Sequence, residues 1–301
     1  MRVAITGYTG FIGTAIGRYL RELGHDVTPV VRTLGGAGRD RAVVWHPDRG
    51  VIDAQGLEGH DLVIHLAGES IAGVWTDGKK RRIRESRVRG TTLLARTLAS
   101  LDARPRALFS ASAFGIYGDQ PGQKRLDETA STGEGFLADV GRAWEAATEP
   151  AAAAGIRVVH MRFGNVLSPV GGMLDALLPL FRIGLGARLG SGRQMWPWIA
   201  LDDIPPALVH VLGRPEISGP VNFAAPEPVT NREFTDTLAA VLGRPSFLSV
   251  PRMALNLAPG GMGEEMLLAS APVIPRRLLD SGYPFRWPEL EPALRAMLGR
   301  D

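Results

Sequence analysis

Cysteine is absent from the 301 residues, which excludes a disulfide scaffold, a thiolate metal site and a cysteine nucleophile. Lysine is nearly absent. Lys79, Lys80 and Lys124 are the only three, so chemistry that needs a lysine in the middle or C-terminal part of the chain has no candidate. No run approaches the roughly 18 uninterrupted apolar residues of a membrane span, and Met1 opens directly into an apolar run and a glycine turn with no charged leader or cleavage site. The expected setting is therefore cytoplasmic, with no membrane partner. Neither sign of charge dominates: 34 Lys plus Arg stand against 31 Asp plus Glu, a net +3 that does not call for nucleic acid.

What is present suits a globular α/β protein. The 45% hydrophobic content can fill a substantial core, and a folded chain of this length buries roughly three quarters of its unfolded surface. Val3–Thr6, Val27–Val31, Leu62–Leu66, Ala107–Ala111 and Ile156–Met161 read as strands. Between them Phe11–Leu23, Gly78–Leu101 and Gly135–Ala154 have helical periodicity. This alternation predicts a doubly wound parallel sheet with right-handed crossovers. After about residue 165 the pattern turns irregular and rich in Gly and Pro, with helices expected at Asp202–Leu212, Asn231–Leu242 and Glu289–Leu298. The reading is a Rossmann-type domain over 1–165, with 195–213 returning to it, and a smaller interleaved substrate-side domain over 166–301.

The strongest local signal is Thr6-Gly7-Tyr8-Thr9-Gly10-Phe11-Ile12-Gly13, between the first strand and the first helix. Gly7 permits the tight turn, Gly10 lets backbone approach a pyrophosphate, and Gly13 lets the helix pack close to the strand. Thr9, Phe11 and Ile12 complete the phosphate-facing helix start, whose amides and dipole favour an anion. The second strand ends in Val30-Val31-Arg32, where such a site tests the adenosine ribose. A carboxylate there would accept the 2′-hydroxyl of NAD; a guanidinium pairs with the extra phosphate of NADP. Arg32 therefore predicts NADP(H), with Arg39 and Arg41 expected to assist. Pro29 inside this strand is awkward, because it lacks an N–H for the ladder.

Several further segments carry a family resemblance: His65-Leu66-Ala67-Gly68, Arg87-Val88-Arg89-Gly90-Thr91, Ser110-Ala111-Ser112-Ala113 leading to Tyr117-Gly118, Arg162-Phe163-Gly164-Asn165-Val166 and Trp198-Ile199-Ala200-Leu201-Asp202-Asp203. With the glycine turn they resemble the extended short-chain dehydrogenase/reductases. More narrowly, Ala67-Gly68-Glu69-Ser70-Ile71, Gly184-Leu185-Gly186, Gly190-Ser191-Gly192-Arg193-Gln194 and Pro226 to Phe234 are similar to an atypical branch of NAD-dependent epimerase/dehydratase family proteins. Members of that branch end in a short C-terminal domain of unknown function, here covering roughly 247–298. The resemblance implies cofactor contacts from Leu66, Ala67, Gly68 and Glu69, and from Arg87, where ordinary relatives carry an asparagine.

One part of the family pattern is broken. The family at large uses a Tyr-x-x-x-Lys pair as acid and base, with a Ser or Thr sharing the substrate oxygen. The four tyrosines are Tyr8, Tyr19, Tyr117 and Tyr283, and none has a lysine four residues on. Phe136 and Val140 stand where the pair is expected, and neither exchanges a proton. The remaining candidates are Ser112, to position a substrate oxygen, and Tyr117, as proton donor; Tyr117 also suits simple packing at a strand end. His65 is expected to be buried and hydrogen-bonded, and Glu69 to cap a turn or contact ribose.

The run Lys79-Lys80-Arg81-Arg82-Ile83-Arg84-Glu85-Ser86-Arg87 has no aromatic interleaving to stack bases and reads as a solvated helix face. The cluster Met195-Trp196-Pro197-Trp198 suits a planar substrate and core packing equally. The six histidines have no ligand spacing, so no metal is expected. The functional expectation is an NADP-binding epimerase/dehydratase-like oxidoreductase acting on a small molecule. The alternative is a non-catalytic NADP(H)-binding redox sensor.

Overall fold

Alternation of short apolar strands with amphipathic helices builds a three-layer α/β/α domain, seen in a computed structural model that describes residues 1–33, 42–122, 125–257 and 259–300. The order begins β1 (Arg2–Thr6), α1 (Phe11–Glu22), β2 (Asp26–Val31), β3 (Val43–His46), β4 (Val51–Ile52), β5 (Leu62–His65), α2 (Asp77–Ser100) and β6 (Ala107–Ala113). It continues α3 (Phe136–Ala146), α4 (Glu149–Ala153), β7 (Arg157–Phe163), β8 (Asn165–Ser168), α5 (Gly172–Arg182), β9 (Ala187–Leu189), β10 (Met195–Trp196), β11 (Trp198–Ala200), α6 (Ile204–Leu212) and β12 (Gly219–Phe223). The remainder is β13 (Val229–Thr230), α7 (Asn231–Val241), β14 (Leu248–Val250), α8 (Arg252–Asn256), α9 (Arg276–Asp280) and α10 (Leu290–Leu298).

The main sheet runs β4-β3-β2-β1-β5-β6-β7-β12, and every pair is parallel except β3 with β4. The strand order reverses between β1 and β5, and this switch point opens a crevice at the carboxyl ends of the strands. On one face Ile16 and Leu20 of α1 meet Ile204, Leu208 and Val211 of α6 over Ile5, Ile64 and Phe109. On the other, Leu94, Ala95 and Leu98 of α2 pack with Ala151 of α4 over Ala4, Val63 and Leu108. The strands are apolar on both sides for this reason.

The smaller lobe is built from the two-stranded pairs β8–β11, β9–β14 and β10–β13 with α5, α7 and α10. Trp196 and Trp198 are buried in its core beside Phe234 and Leu238, so the aromatic cluster serves packing. At the sheet edge β12 pairs with β7, which joins Gly219–Phe223 to the main sheet. The helix expected over Gly135–Ala154 is two helices, with Pro150 in the first turn of the second. Pro29 is accommodated because β2 meets β3 only at Val30 and Val31, leaving it paired on the β1 side alone. Among the described residues no helix is long and apolar enough to cross a membrane.

Candidate functional site

A cleft of about 610 Å³ lies at the switch point. Its floor is the turn Gly7, Tyr8, Thr9 and Gly10; one wall is the end of β2 with Arg32, and the other is Leu66, Ala67, Gly68 and Glu69 after β5. Gly7 has φ +66, and a Cβ there would meet the Ala67 nitrogen at 2.8 Å. Gly13 is buried, and a Cβ on it would overlap the Gly7 carbonyl. The spacing of the three glycines thus fixes how close helix, turn and strand lie.

No side chain caps α1, and its first turn contains no acidic residue. Its positive end opens on the cleft at Gly10, an arrangement that suits a dinucleotide pyrophosphate. Gly10 lies in the cleft lining, whereas Phe11, Ile12 and Gly13 do not, so their available contribution is backbone N–H. The Phe11 ring packs against Gly171 and Gly172 of the smaller lobe. Arg32 is exposed at the cleft edge beside Thr33; Arg39 and Arg41 lie outside the described residues. Trp45, Pro47 and Asp48 of the β3 end also line the cleft, as do Arg82, Glu85 and Ser86 of α2. Sequence reasoning missed these; their signal is a carboxylate and an aromatic ring around the short apolar run Val43-Val44-Trp45.

The wall after β5 is held by a buried relay. The Thr6 hydroxyl accepts from Leu66 N at 3.1 Å and Ala67 N at 3.2 Å, which leaves its own proton for His65 Nδ1 at 2.7 Å. His65 then donates from Nε2 to Thr91 Oγ1 at 2.9 Å. This network requires a neutral ring, and burial lowers the His65 pKa to about 4. Because the unfolded value is near 6.5, stability from the neutral ring is present above that pH and lost as pH falls towards 4. The shift corresponds to about 3 kcal/mol. Urea unfolding at pH 7 and pH 4.5 is expected to show this loss, and His65→Asn to reduce it; identical pH dependence in both proteins would contradict the assignment.

Glu69 pairs with Lys79 at 2.8 Å and with Arg82 at 3.7 Å, and Lys79 chiefly holds its carboxyl below the ordinary range. Lys80 lies over the rings of Trp75 and Phe136. The start of the basic run therefore serves this wall. Arg87 Nη1 donates to the carbonyls of Glu69 (2.9 Å) and Ile83 (3.1 Å), clamping the loop after β5 to α2.

Ser112 and Tyr117 do not line the cleft. Both are buried, in one polar network. Ser112 Oγ donates to Glu145 Oε1 at 2.7 Å, and Glu145 receives Arg162 through two bonds of 2.7 and 2.8 Å. Arg162 Nη1 donates to the Tyr117 hydroxyl at 2.9 Å, which donates to Asn222 Oδ1 at 2.8 Å. Burial raises the Tyr117 pKa further from neutrality, against the opposing pull of Arg162. Both hydroxyls are engaged by partners distant in sequence. Phe136 and Val140 pack with Trp75 and Ile83, and neither side chain exchanges a proton.

A second cavity, of about 230 Å³, lies beyond the end of β6 between Gly115, Leu137, Arg252 and Glu265. Glu265 comes from a π-helical segment, Gly263–Leu268, and caps α3 by accepting from Phe136 N (3.1 Å) and Leu137 N (2.8 Å). Among the described residues no group of three or more His, Asp or Glu is arranged to hold a metal ion.

Strand order, glycine turn and helix start together define a dinucleotide-fold protein of the short-chain dehydrogenase/reductase type. The chain belongs to the NAD dependent epimerase/dehydratase family, whose profile matches residues 3–223. A second profile, a domain of unknown function (DUF1731), matches residues 250–297. Epimerase family protein Mb2239 of Mycobacterium bovis is 42% identical over 94% of this chain and 93% of its own length. Human epimerase family protein SDR39U1 is 36% identical over 99% of this chain and 100% of its own. A crystal structure of human SDR39U1 (isoform 2) with NADPH superposes with a TM-score of 0.89, at 34% identity and 99% coverage of both chains.

Proposed function

We propose that the switch-point cleft binds NADP(H) and that the protein is an epimerase/dehydratase-like oxidoreductase acting on a small molecule. The carrying observation is Arg32 at the end of β2 in a glycine-floored cleft of about 610 Å³. The backbone of Gly7 to Gly13 would hold the pyrophosphate, Arg32 the 2′-phosphate, and Leu66 to Glu69 the wall beside the ribose. The bound nicotinamide supplies hydride chemistry. The NADPH named in the crystal structure of human SDR39U1 supports this reading.

Ser112 and Tyr117 are read here as structural, tying β6 to α3, β7 and β12. Their committed hydroxyls favour a second reading, a non-catalytic NADP(H) sensor. The two readings share the cofactor and differ in turnover. Calorimetry of Arg32→Ala tests the shared part: NADPH affinity is expected to fall tenfold or more, about the worth of a charged hydrogen bond, with NADH affinity unchanged. An unchanged NADPH affinity would reject the assignment. A carbonyl and enone panel followed by NADPH consumption then separates enzyme from sensor.

A further inference from the structure

We propose that Arg87 makes this cleft select the reduced, uncharged nicotinamide of NADPH over the cationic ring of NADP⁺. The inference rests on the NADP(H) reading above and adds a redox preference to it.

Topology places Arg87 in the relevant half. A doubly wound sheet holds a dinucleotide across two mononucleotide-binding halves. Arg32 and Trp45 belong to the β1–β2–β3 half, so the nicotinamide half falls over β5, β6 and β7. Arg87 lies on α2, the crossover from β5 to β6. Its guanidinium sits against Gly68, at 3.5 Å from the position of a Cβ there, and over the ring of Trp144 of α3 at 4.8 Å. It is wedged between the two crossover helices of that half, just behind the cleft wall.

The charge there is only partly compensated. Arg87 makes no ion pair among the described residues; its hydrogen-bond partners are two neutral carbonyls. Glu69 is the facing carboxylate whose field favours the charged guanidinium, and it is shared with two other cations. The Glu69 carboxylate is engaged by Lys79 and Arg82, Glu145 is engaged by Arg162, and His65 is neutral. Trp144 Nε1 is itself buried without an acceptor. Desolvation lowers the Arg87 pKa to about 10, which leaves the group charged at neutral pH. A buried cation needs a countercharge or at least no second cation beside it. NADPH and NADP⁺ differ in this respect: the oxidised ring brings a positive charge and the reduced ring brings none. At an effective dielectric of about 20 and a separation on the order of 10 Å, the repulsion corresponds to roughly tenfold in affinity.

Calorimetry of the full chain with NADPH and with NADP⁺, at 0.15 and 0.5 M salt, tests this. NADPH is expected to bind about tenfold more tightly, and the ratio to persist at high salt because a buried charge is weakly screened. A tenfold ratio raises the potential of the bound two-electron couple by about 30 mV. Arg87→Gln, which keeps a donor for the carbonyls, is expected to bring the ratio within about twofold; Arg87→Lys is expected to retain it. Equal affinities in the unmodified chain, a ratio that vanishes in 0.5 M salt, or a ratio that survives in folded Arg87→Gln would each overturn the inference. The salt series needs no variant, so a folding defect in Arg87→Gln leaves the proposal falsifiable. Failure of both cofactors to bind would instead overturn the NADP(H) reading.

Discussion

Gly10→Val is expected to weaken NADPH binding by more than about a hundredfold while leaving the fold in place. The residue precedes α1 with φ −74 and ψ 163, an extended conformation that a β-branched residue adopts without strain. Its Cβ would lie 3.2 Å from the Gly7 carbonyl oxygen, a contact relieved by a few tenths of an ångström. The branches would then project into the cleft at the free helix start and hold a pyrophosphate away from the amides. Gly13 differs, since its added carbon would collide with the turn and disturb the fold. Normal NADPH affinity in a Gly10→Val protein with a wild-type thermal midpoint would show that the turn is only structural.

Arg162→Met is expected to cost about 3–5 kcal/mol of stability, the usual effect of removing one partner from a buried ion pair. Side-chain exposure of Arg162 and Glu145 is 6% and 13%, so the abandoned carboxylate would have little water to solvate it. Burial alone would raise the Glu145 pKa; the bonds from Arg162 reverse this and hold it below the ordinary range. The substitution also removes a donor from Tyr117 and slackens the tie between β6, β7 and α3. Denaturant unfolding at neutral pH measures the cost, and a loss under about 1 kcal/mol would mean the network is not a structural keystone.

The sheet, the glycine turn and the main helices were legible because their signals are local. Helical spacing puts Ile83, Gly90, Leu94 and Thr97 on one face of α2, and all four are buried. The same locality explains the misses. Strands β3 and β4 are four and two residues long around His46-Pro47-Asp48, and β12 opens on Gly219-Pro220, where propensity argues against a strand. Tyr117 was singled out by its place after β6, but its role depends on Arg162 and Asn222, 45 and 105 residues away. The cap of α3 comes from Glu265, about 128 residues downstream, and no local pattern announces it. Arg87 illustrates both sides: its position suggested a cofactor role, and only packing reveals that it shares the Glu69 carboxylate with Lys79 and Arg82.

Titration of the unmodified protein with NADPH and with NADH, side by side in one calorimeter at neutral pH and 0.15 M salt, tests the central claim most directly. The cleft with Arg32 at its edge predicts one site per chain and NADPH bound at least about tenfold more tightly than NADH. Equal affinities, or no heat of binding from either, would contradict it.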